Sequence, residues 1–376
     1  MTRIAFAESH SWEAFAAMAG ALRTRGIEVV HLMPKPQGAV QRVTRAVERP
    51  LWGQPQFVLA QPGSDPAVVD ESAFIEVLDS CIDLQAHDDL VLPLSQVRHE
   101  LTNPGRRLGP QMPVELLVDK FVQGQVALDS GVPTPAISSD TSTTEQYPVV
   151  VKARVGFGGV GVAIAEDPIE LADAVTRLDT PGSGGVFLQE FFAGDFVNCG
   201  GVAADGRVLA VGCYLPEPAP DDPKGPAYCV RPIVDEAVVT FTKQWIHAIG
   251  YTGFFSIDWV YARDGGDPQL IDFNPRIFGS WPALQQVGVP LIEAYLHVLG
   301  LGPAPDVDAS YREGDLLTML RFPFPKPADR AALSKTVAEQ RAIVDERLPT
   351  LGSSWAKTSR AKIKLATAQQ VPGLIR

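Results

Sequence analysis

Two aspartates, an asparagine and an arginine crowd one stretch, "FFSIDWVYARDGGDPQLIDFNPR": Asp258, Asp272, Asn274 and Arg276. The pair Gly265-Gly266 lies between two runs rich in aromatic and β-branched residues, which predicts a hairpin. Folding about that pair sets Asp258 opposite Asp272, within a residue of register, where directly opposed Cβ atoms lie about 5 Å apart. Asn274, two residues beyond Asp272, shares its face. Two carboxylates and an amide oxygen then converge among Phe255, Ile257 and Phe273. Opposed like charges destabilise a hairpin unless something positive sits between them. Mg²⁺ suits this set, because it takes oxygen ligands at about 2.0–2.1 Å and keeps water and phosphate oxygens. The competing reading is a pair splayed on a solvated face. Arg276 is placed either to stabilise a transferring phosphoryl group or oxyanion, or to close a strand-end salt bridge.

A second constellation precedes it. In "VVVKARVGFGGVGVAIA", Gly156, Gly158 and Gly161 spell G-x-G-x-x-G, with Gly159 between them and Lys152 just before. A dinucleotide turn needs a helix after the glycines, to receive the pyrophosphate at its N-terminus. Here a short β-branched run, "GVAIA", follows and "EDP" breaks it, so the reading is strand–loop–strand. Such a loop still offers several backbone N–H groups to phosphate and can close as a flap. A glycine-rich hairpin with no ligand is the bland alternative, as a solvent-facing lysine is for Lys152. A nicotinamide oxidoreductase would rest on the glycine pattern alone.

The elements that must hold these residues are legible in outline. "RIAFA", a helix over Ser11–Arg25 and "IEVVHL" predict a parallel α/β opening, with further helices in "RVTRAVERP" and "DESAFIEVLDSC" and a strand in "LVLPLS". This first unit ends near Gly109–Pro113. "PVELLVDKFVQGQVALD" reads as one helix, closed by "SGVPTP". Then come a helix in "PIELADAVTRL", a strand in "GVFLQEFF", and a hairpin turning at Asp205-Gly206. The Pro216–Pro226 piece reads as a surface loop. Helices over Glu236–Ile249 and in "LIEAYLHVLG" flank the acidic hairpin, and "DLLTMLRFPF" reads as a late strand. The basic tail from Lys357 reads as a terminal helix, solvated or packed.

Composition bounds the function. The 376 residues are 45% hydrophobic and 20% charged, as in a globular protein of two or three units. A net charge of −12 argues against nucleic acid as a partner, and no apolar run is long enough to cross a membrane. Cys81, Cys199, Cys213 and Cys229 are scattered, so they read as reduced core residues of a cytoplasmic protein. No G-x-S-x-G elbow, H-E-x-x-H or Walker loop is present, and the six histidines show no ligand spacing.

Taken in order, lysine, glycine flap, "LQEFF" and the Asp/Asp/Asn/Arg hairpin resemble the ATP-grasp superfamily of carboxylate–amine ligases, from about Asp119 to Leu299. The resemblance implies an α/β and α+β architecture: a Rossmann-like domain over 1–110, then an ATP-grasp domain over 111–305 whose two α+β lobes hold ATP. Its flap lobe would span about 133–190, and 306–376 would form a strand and a helical tail. It also implies roles. Lys120 would meet the phosphates, Lys152 would be a second phosphate lysine or an adenine-side one, and Gly156, Gly158, Gly159 and Gly161 would cover the γ-phosphate. Glu190, Phe191 and Phe192 would sit at the adenine, and Asp195 at the ribose. Asp258, Asp272 and Asn274 would hold one or two Mg²⁺ ions, with Mn²⁺ able to substitute, and Arg276 would be catalytic. Asp195 and Asp272 stand where the family more often has glutamate, which shortens their reach. The implied reaction makes an acyl phosphate from a small, amino-acid-like carboxylate, then an amide with an amine. A thiol acceptor and a non-catalytic nucleotide-binding module are the alternatives. Arg231, Gly279 and Ser280 are the substrate-binding candidates, and family members are often homodimers.

Overall fold

The computed structural model describes residues 2–8, 12–34, 38–52, 56–59, 71–87, 90, 112–142, 144, 146–156, 159, 161–219, 222–262, 265–306, 311, 313–314, 316–320 and 330–370. The expected strand "LVLPLS", apart from Leu90, and most of the Gly109–Pro113 boundary lie outside them, as does the end of "DLLTMLRFPF".

The chain opens with β1 (Arg3–Ala7), α1 (Glu13–Arg23), β2 (Glu28–Pro34), α2 (Gly38–Trp52), β3 (Gln56–Leu59), α3 (Glu71–Asp79) and β4 (Asp83–Ala86). The four strands form one parallel sheet in the order β3-β2-β1-β4. Ile4 to Ala7 are buried without alternation, the signature of a parallel strand covered on both faces.

One expected helix is two. α4 (Val114–Val118) and α5 (Lys120–Asp129) break at Asp119, whose extended backbone lets its carboxylate accept from the N–H groups of Phe121 and Val122. The helical periodicity runs through the break, but an aspartate cap stabilises a fresh start there.

Two antiparallel sheets follow. The smaller has the order β5-β8-β6-β7, from β5 (Ile137–Ser138), β6 (Val149–Ala153), β7 (Val162–Ala165) and β8 (Val186–Glu190), with α6 (Pro168–Leu178) between β7 and β8 in sequence. The larger has the order β13-β12-β9-β10-β11-β14, from β9 (Gly194–Ala204), β10 (Arg207–Ala219), β11 (Asp222–Ile233), β12 (Gly253–Ala262), β13 (Gln269–Asn274) and β14 (Leu317–Thr318). The β9–β10 hairpin turns at Asp205 and Gly206, both with positive φ, as a two-residue primed turn requires.

The Pro216–Pro226 piece is not a surface loop. β10 and β11 extend through it as a long hairpin, with Pro216 opposite Val230 and Pro218 opposite Ala227. Proline lacks only the N–H, and among the described residues β10 pairs with β9 only as far as Tyr214 and β11 with β14 only at Cys229 and Val230. Register shifts around Pro218 absorb the rest.

One face of the larger sheet packs on α7 (Glu236–Ala248) through Cys199, Trp245, Phe255, Ile257, Trp259 and Phe273. The opposite face, with Val202, Phe254 and Tyr214, joins α1, α8 (Trp281–Gln286), α9 (Leu291–Val298) and the C-terminal run α10 (Arg330–Gln369) in one core. α10 is broken at Gly352, where φ is +83°. It lies so close to α1 that a Cβ on Gly20 would meet the Leu351 carbonyl oxygen at 2.5 Å. The tail expected to be a terminal helix is therefore core on one side.

Candidate active site

Strand alternation aims the acidic hairpin. Phe255, Ile257 and Trp259 turn to α7, which sends Ser256, Asp258 and Val260 to the other face of β12. Phe273 does the same on β13 and frees Asp272 and Asn274. Asp258 pairs directly with Asp272, as the hairpin register predicts. On its other side Asp258 pairs with Asn198 of β9, whose Nδ2 donates to Asp258 Oδ1 at 2.5 Å.

Two lysines face this pair from other elements. Lys120, at the start of α5, makes an ion pair with Asp272 Oδ1. Lys152, buried on β6, donates from Nζ to the Ile271 carbonyl oxygen at 2.9 Å. Arg154 holds Asp119 with Nη2 at 2.6 Å, and the Lys120 N–H donates to the Arg154 carbonyl at 2.8 Å. The end of β6 thereby fixes the start of α5, and with it both lysines.

The electrostatics follow from crowding in a site withdrawn from water. Burial and the neighbouring Asp272 push Asp258 up to about 7. Burial works the same way on Asp272, but Lys120 and Lys152 outweigh it and hold this carboxyl below its usual range. Burial lowers Lys152 to about 8, with Lys120 adding to the effect against the pull of Asp272. A bound cation would relieve the carboxylate pair, and an anion the lysine pair.

These groups line one cleft of about 270 Å³ between the two antiparallel sheets. Asp258, Asp272, Lys120 and Lys152 form its charged end. Gly156, Gly159 and Gly161 border it at the β6–β7 connection, where Gly159 has φ +72° and the Ala153 N–H donates to the Gly161 carbonyl. Gly158 lies outside the described residues. Glu190, Phe191 and Phe192 border it where the chain passes from one sheet to the other. Val150, Val162, Ile164, Val260 and Phe196 supply apolar walls suited to a flat aromatic base.

Other expected residues stand elsewhere. Asp195 is exposed and pairs with Tyr261, and alternation along β9 sends Phe196 to the cleft instead. Asn274 lies beside the cleft and donates to Asp272 Oδ2 at 3.3 Å. Arg276 stacks over the Trp12 ring, 4.8 Å from its centroid, and donates to the Ile277 carbonyl. A Cβ on Gly279 would meet Trp12 at 3.5 Å, and Ser280 is buried and hydrogen-bonded to Tyr214. These three therefore sit where the acidic hairpin meets the first α/β unit. Arg231 does not join them: it is exposed on the β10–β11 hairpin and pairs with Glu217. Asn198 and Arg154 were missed. Only the β9–β12 register could have signalled Asn198, and nothing local marked Arg154.

The donor set fits magnesium. All the oxygens are hard, from two carboxylates and one amide, and no group of three or more His, Cys, Asp or Glu forms a metal cluster among the described residues. The incomplete count suits an ion that completes its shell with water and phosphate.

A family model described as the ATP-grasp domain matches residues 117–280. The chain carries an ATP-grasp domain. It is 25% identical over 225 residues to the carbamoyl phosphate synthase large chain of Beutenbergia cavernae, a match covering 54% of this chain and 20% of that one. The chain thus spans about a fifth of the length of this curated relative. Among solved structures, the biotin carboxylase domain dimer of Hydrogenobacter thermophilus 2-oxoglutarate carboxylase, complexed with MgADP, ADP and bicarbonate, superposes with a TM-score of 0.64 at 16% identity. That match covers 83% of this chain and 73% of the other. L-amino acid ligase from Bacillus licheniformis superposes with a TM-score of 0.56 at 17% identity, over 80% and 74%. Both likenesses show the ATP-grasp fold, and the cleft described above lies within the matched domain.

Proposed function

We propose that this protein is an ATP- and Mg²⁺-dependent ligase that activates a carboxylate as an acyl phosphate and joins it to an amine. The observation that carries the reading is the cleft itself. It sets buried Lys152 and half-buried Lys120, two opposed carboxylates and a glycine connection around a space with apolar walls. Phosphoryl transfer asks for positioning and charge neutralisation rather than a protein nucleophile, and this inventory supplies both. Residues 1–110 would present the acid or the amine, 111–305 would hold ATP, and 306–376 would brace the first unit.

In this reading Val150, Ile164 and Phe196 hold the adenine, with the backbone around Glu190 to Phe192 at its edge. Lys120 and Lys152 hold the phosphates, and Asp258, Asp272 and Asn274 hold magnesium, which neutralises phosphate charge when bound. The substrate carboxylate oxygen attacks the γ-phosphorus and ADP leaves. The amine nitrogen then attacks the acyl carbon, phosphate leaves with the bonding pair, and the nitrogen loses a proton. Arg276, fixed by Trp12, faces the negative charge of the acyl phosphate. The L-amino acid ligase among the structural neighbours supports amino-acid-like substrates. The neighbour solved with bicarbonate places that anion among the acids to test.

The test is ADP release by coupled assay, with ATP and Mg²⁺, across pairs of acids, bicarbonate included, and amines. Release that requires one acid–amine pair and is lost in Arg276→Ala is expected. Tight ATP binding with no ADP from any pair, nor from thiols, would overturn the reading in favour of a nucleotide-binding module.

A further inference from the structure

Asp272, Asp258, Asn198 and Tyr214 are successive Cα partners across β13, β12, β9 and β10, so the four side chains form one row on one sheet face. The row begins at the expected cation site and ends at Tyr214, which is hydrogen-bonded to Ser280. Within it, Asp258 has a carboxylate on one side and the Asn198 amide on the other. The amide presents N–H, because an ionised carboxylate only accepts.

We propose that Asn198 is a positioning residue for the metal, holding Asp258 by the Nδ2–Oδ1 hydrogen bond so that the carboxylate offers the ion one oxygen at a fixed angle. The proposal rests on the reading of the cleft as an ATP–Mg²⁺ site. Oδ1 is engaged at 2.5 Å, which leaves Oδ2 for the ion. Magnesium demands near-octahedral geometry, so a carboxylate free to rotate, or to bind through both oxygens, serves it poorly. Asn198 itself is held on both sides by strand pairing, to Asp258 and to Tyr214. Beyond it, Gly200 leaves room for the Phe278 ring, which a Cβ there would strike at 2.3 Å, so the strand cannot slide to re-aim the amide. Partners of this kind, one shell out from a metal, change its affinity about 10–100-fold when removed.

The test uses the full chain, Mn²⁺ as the spin-active probe and a β,γ-imido analogue of ATP. Free Mn²⁺ is counted by electron paramagnetic resonance, and analogue binding is measured separately in EDTA. Asn198→Leu keeps the volume and removes the donor, Asn198→Ala removes both, and Asn198→Ser keeps a shorter donor. The Leu and Ala variants are expected to weaken Mn²⁺ binding about 10–100-fold, with the Ser variant closer to wild type and analogue binding in EDTA unchanged. In an Asp258→Asn background, Asn198→Leu is expected to add nothing, because it acts through Asp258. Wild-type affinity in Asn198→Leu, or losses from Asn198→Leu and Asp258→Asn that multiply fully when combined, would overturn the assignment and leave the nucleotide site standing. A wild-type protein that binds the analogue but takes up no Mn²⁺ would overturn the cation-site reading, and this assignment with it.

Discussion

The cleft and the seam between α1, α2 and α10 both bury charge, and they settle it in opposite ways. In the seam, Lys362 of α10 reaches Glu48 Oε1 at 2.8 Å and Glu13 Oε2 at 3.6 Å, while Trp355 donates to Glu13 Oε1 at 2.8 Å. Burial alone would lower Lys362, but Glu13 and Glu48 outweigh it and keep it charged. Nearby, Glu8 is pushed up and His31 down, both by burial, and they lie 3.0 Å apart. The seam thus answers its charge from within, across elements far apart in sequence. The cleft holds Asp258 against Asp272 and Lys152 near Lys120, so each like-charged pair is relieved only in part by the other. Charge matched inside the fold fastens it. Charge left partly unmatched is what a metal nucleotide can complete.

That contrast can be broken at either end. The largest expected effect is in the cleft: Asp258→Asn should cut ADP release about 100–1,000-fold at an unchanged thermal midpoint, read by the coupled assay beside a melt. Next comes the seam, where Lys362→Met takes the ammonium from two buried carboxylates. Urea unfolding should show a loss of about 3–5 kcal/mol, with ADP release per folded molecule unchanged. If Lys362→Met lost activity and kept its stability, the distinction between the two regions would be erased.

The pH profile sharpens it further. Lys152 is lowered from 10.5 to about 8, so across that window the unfolded chain holds a proton the native protein lacks. Stability should therefore rise with pH between about 8 and 10.5, while ATP, which needs the ammonium, binds more weakly there. Lys152→Met should flatten both slopes, measured by unfolding and by nucleotide titration. The smallest effect concerns His31, held well below 6.5. As pH falls through 6.5, the unfolded chain gains a proton that His31 refuses, so stability drops, and His31→Gln should remove that part of the acid-side loss in denaturant titrations.

What the sequence disclosed depended on how local its determinants were. Asp258 opposite Asp272 was legible because a glycine turn a few residues away fixes the register. Asn198 was not, because its place depends on pairing between strands about 60 residues apart. Asp195 and Phe196 show how far one residue matters: the resemblance favoured the acid, while alternation gave the cleft the ring. Asp119 hid a helix break inside continuous periodicity, and prolines disguised the end of a hairpin as a loop. Lys362 read as part of a basic tail, since both of its acid partners lie in the first 50 residues.

The close approach of α1 and α10 at Gly20 sets a condition on biosynthesis. α1 is apolar on almost every side, with Ala14 to Leu22 all buried in the finished protein. The part of its cover that α10 supplies begins at Arg330, about 300 residues later, which at ribosomal speeds of about 5–20 residues per second is roughly 15–60 s. For that interval the nascent chain carries α1 with the face that α10 covers still bare, so shielding of that face until α10 docks is an expected feature of its synthesis.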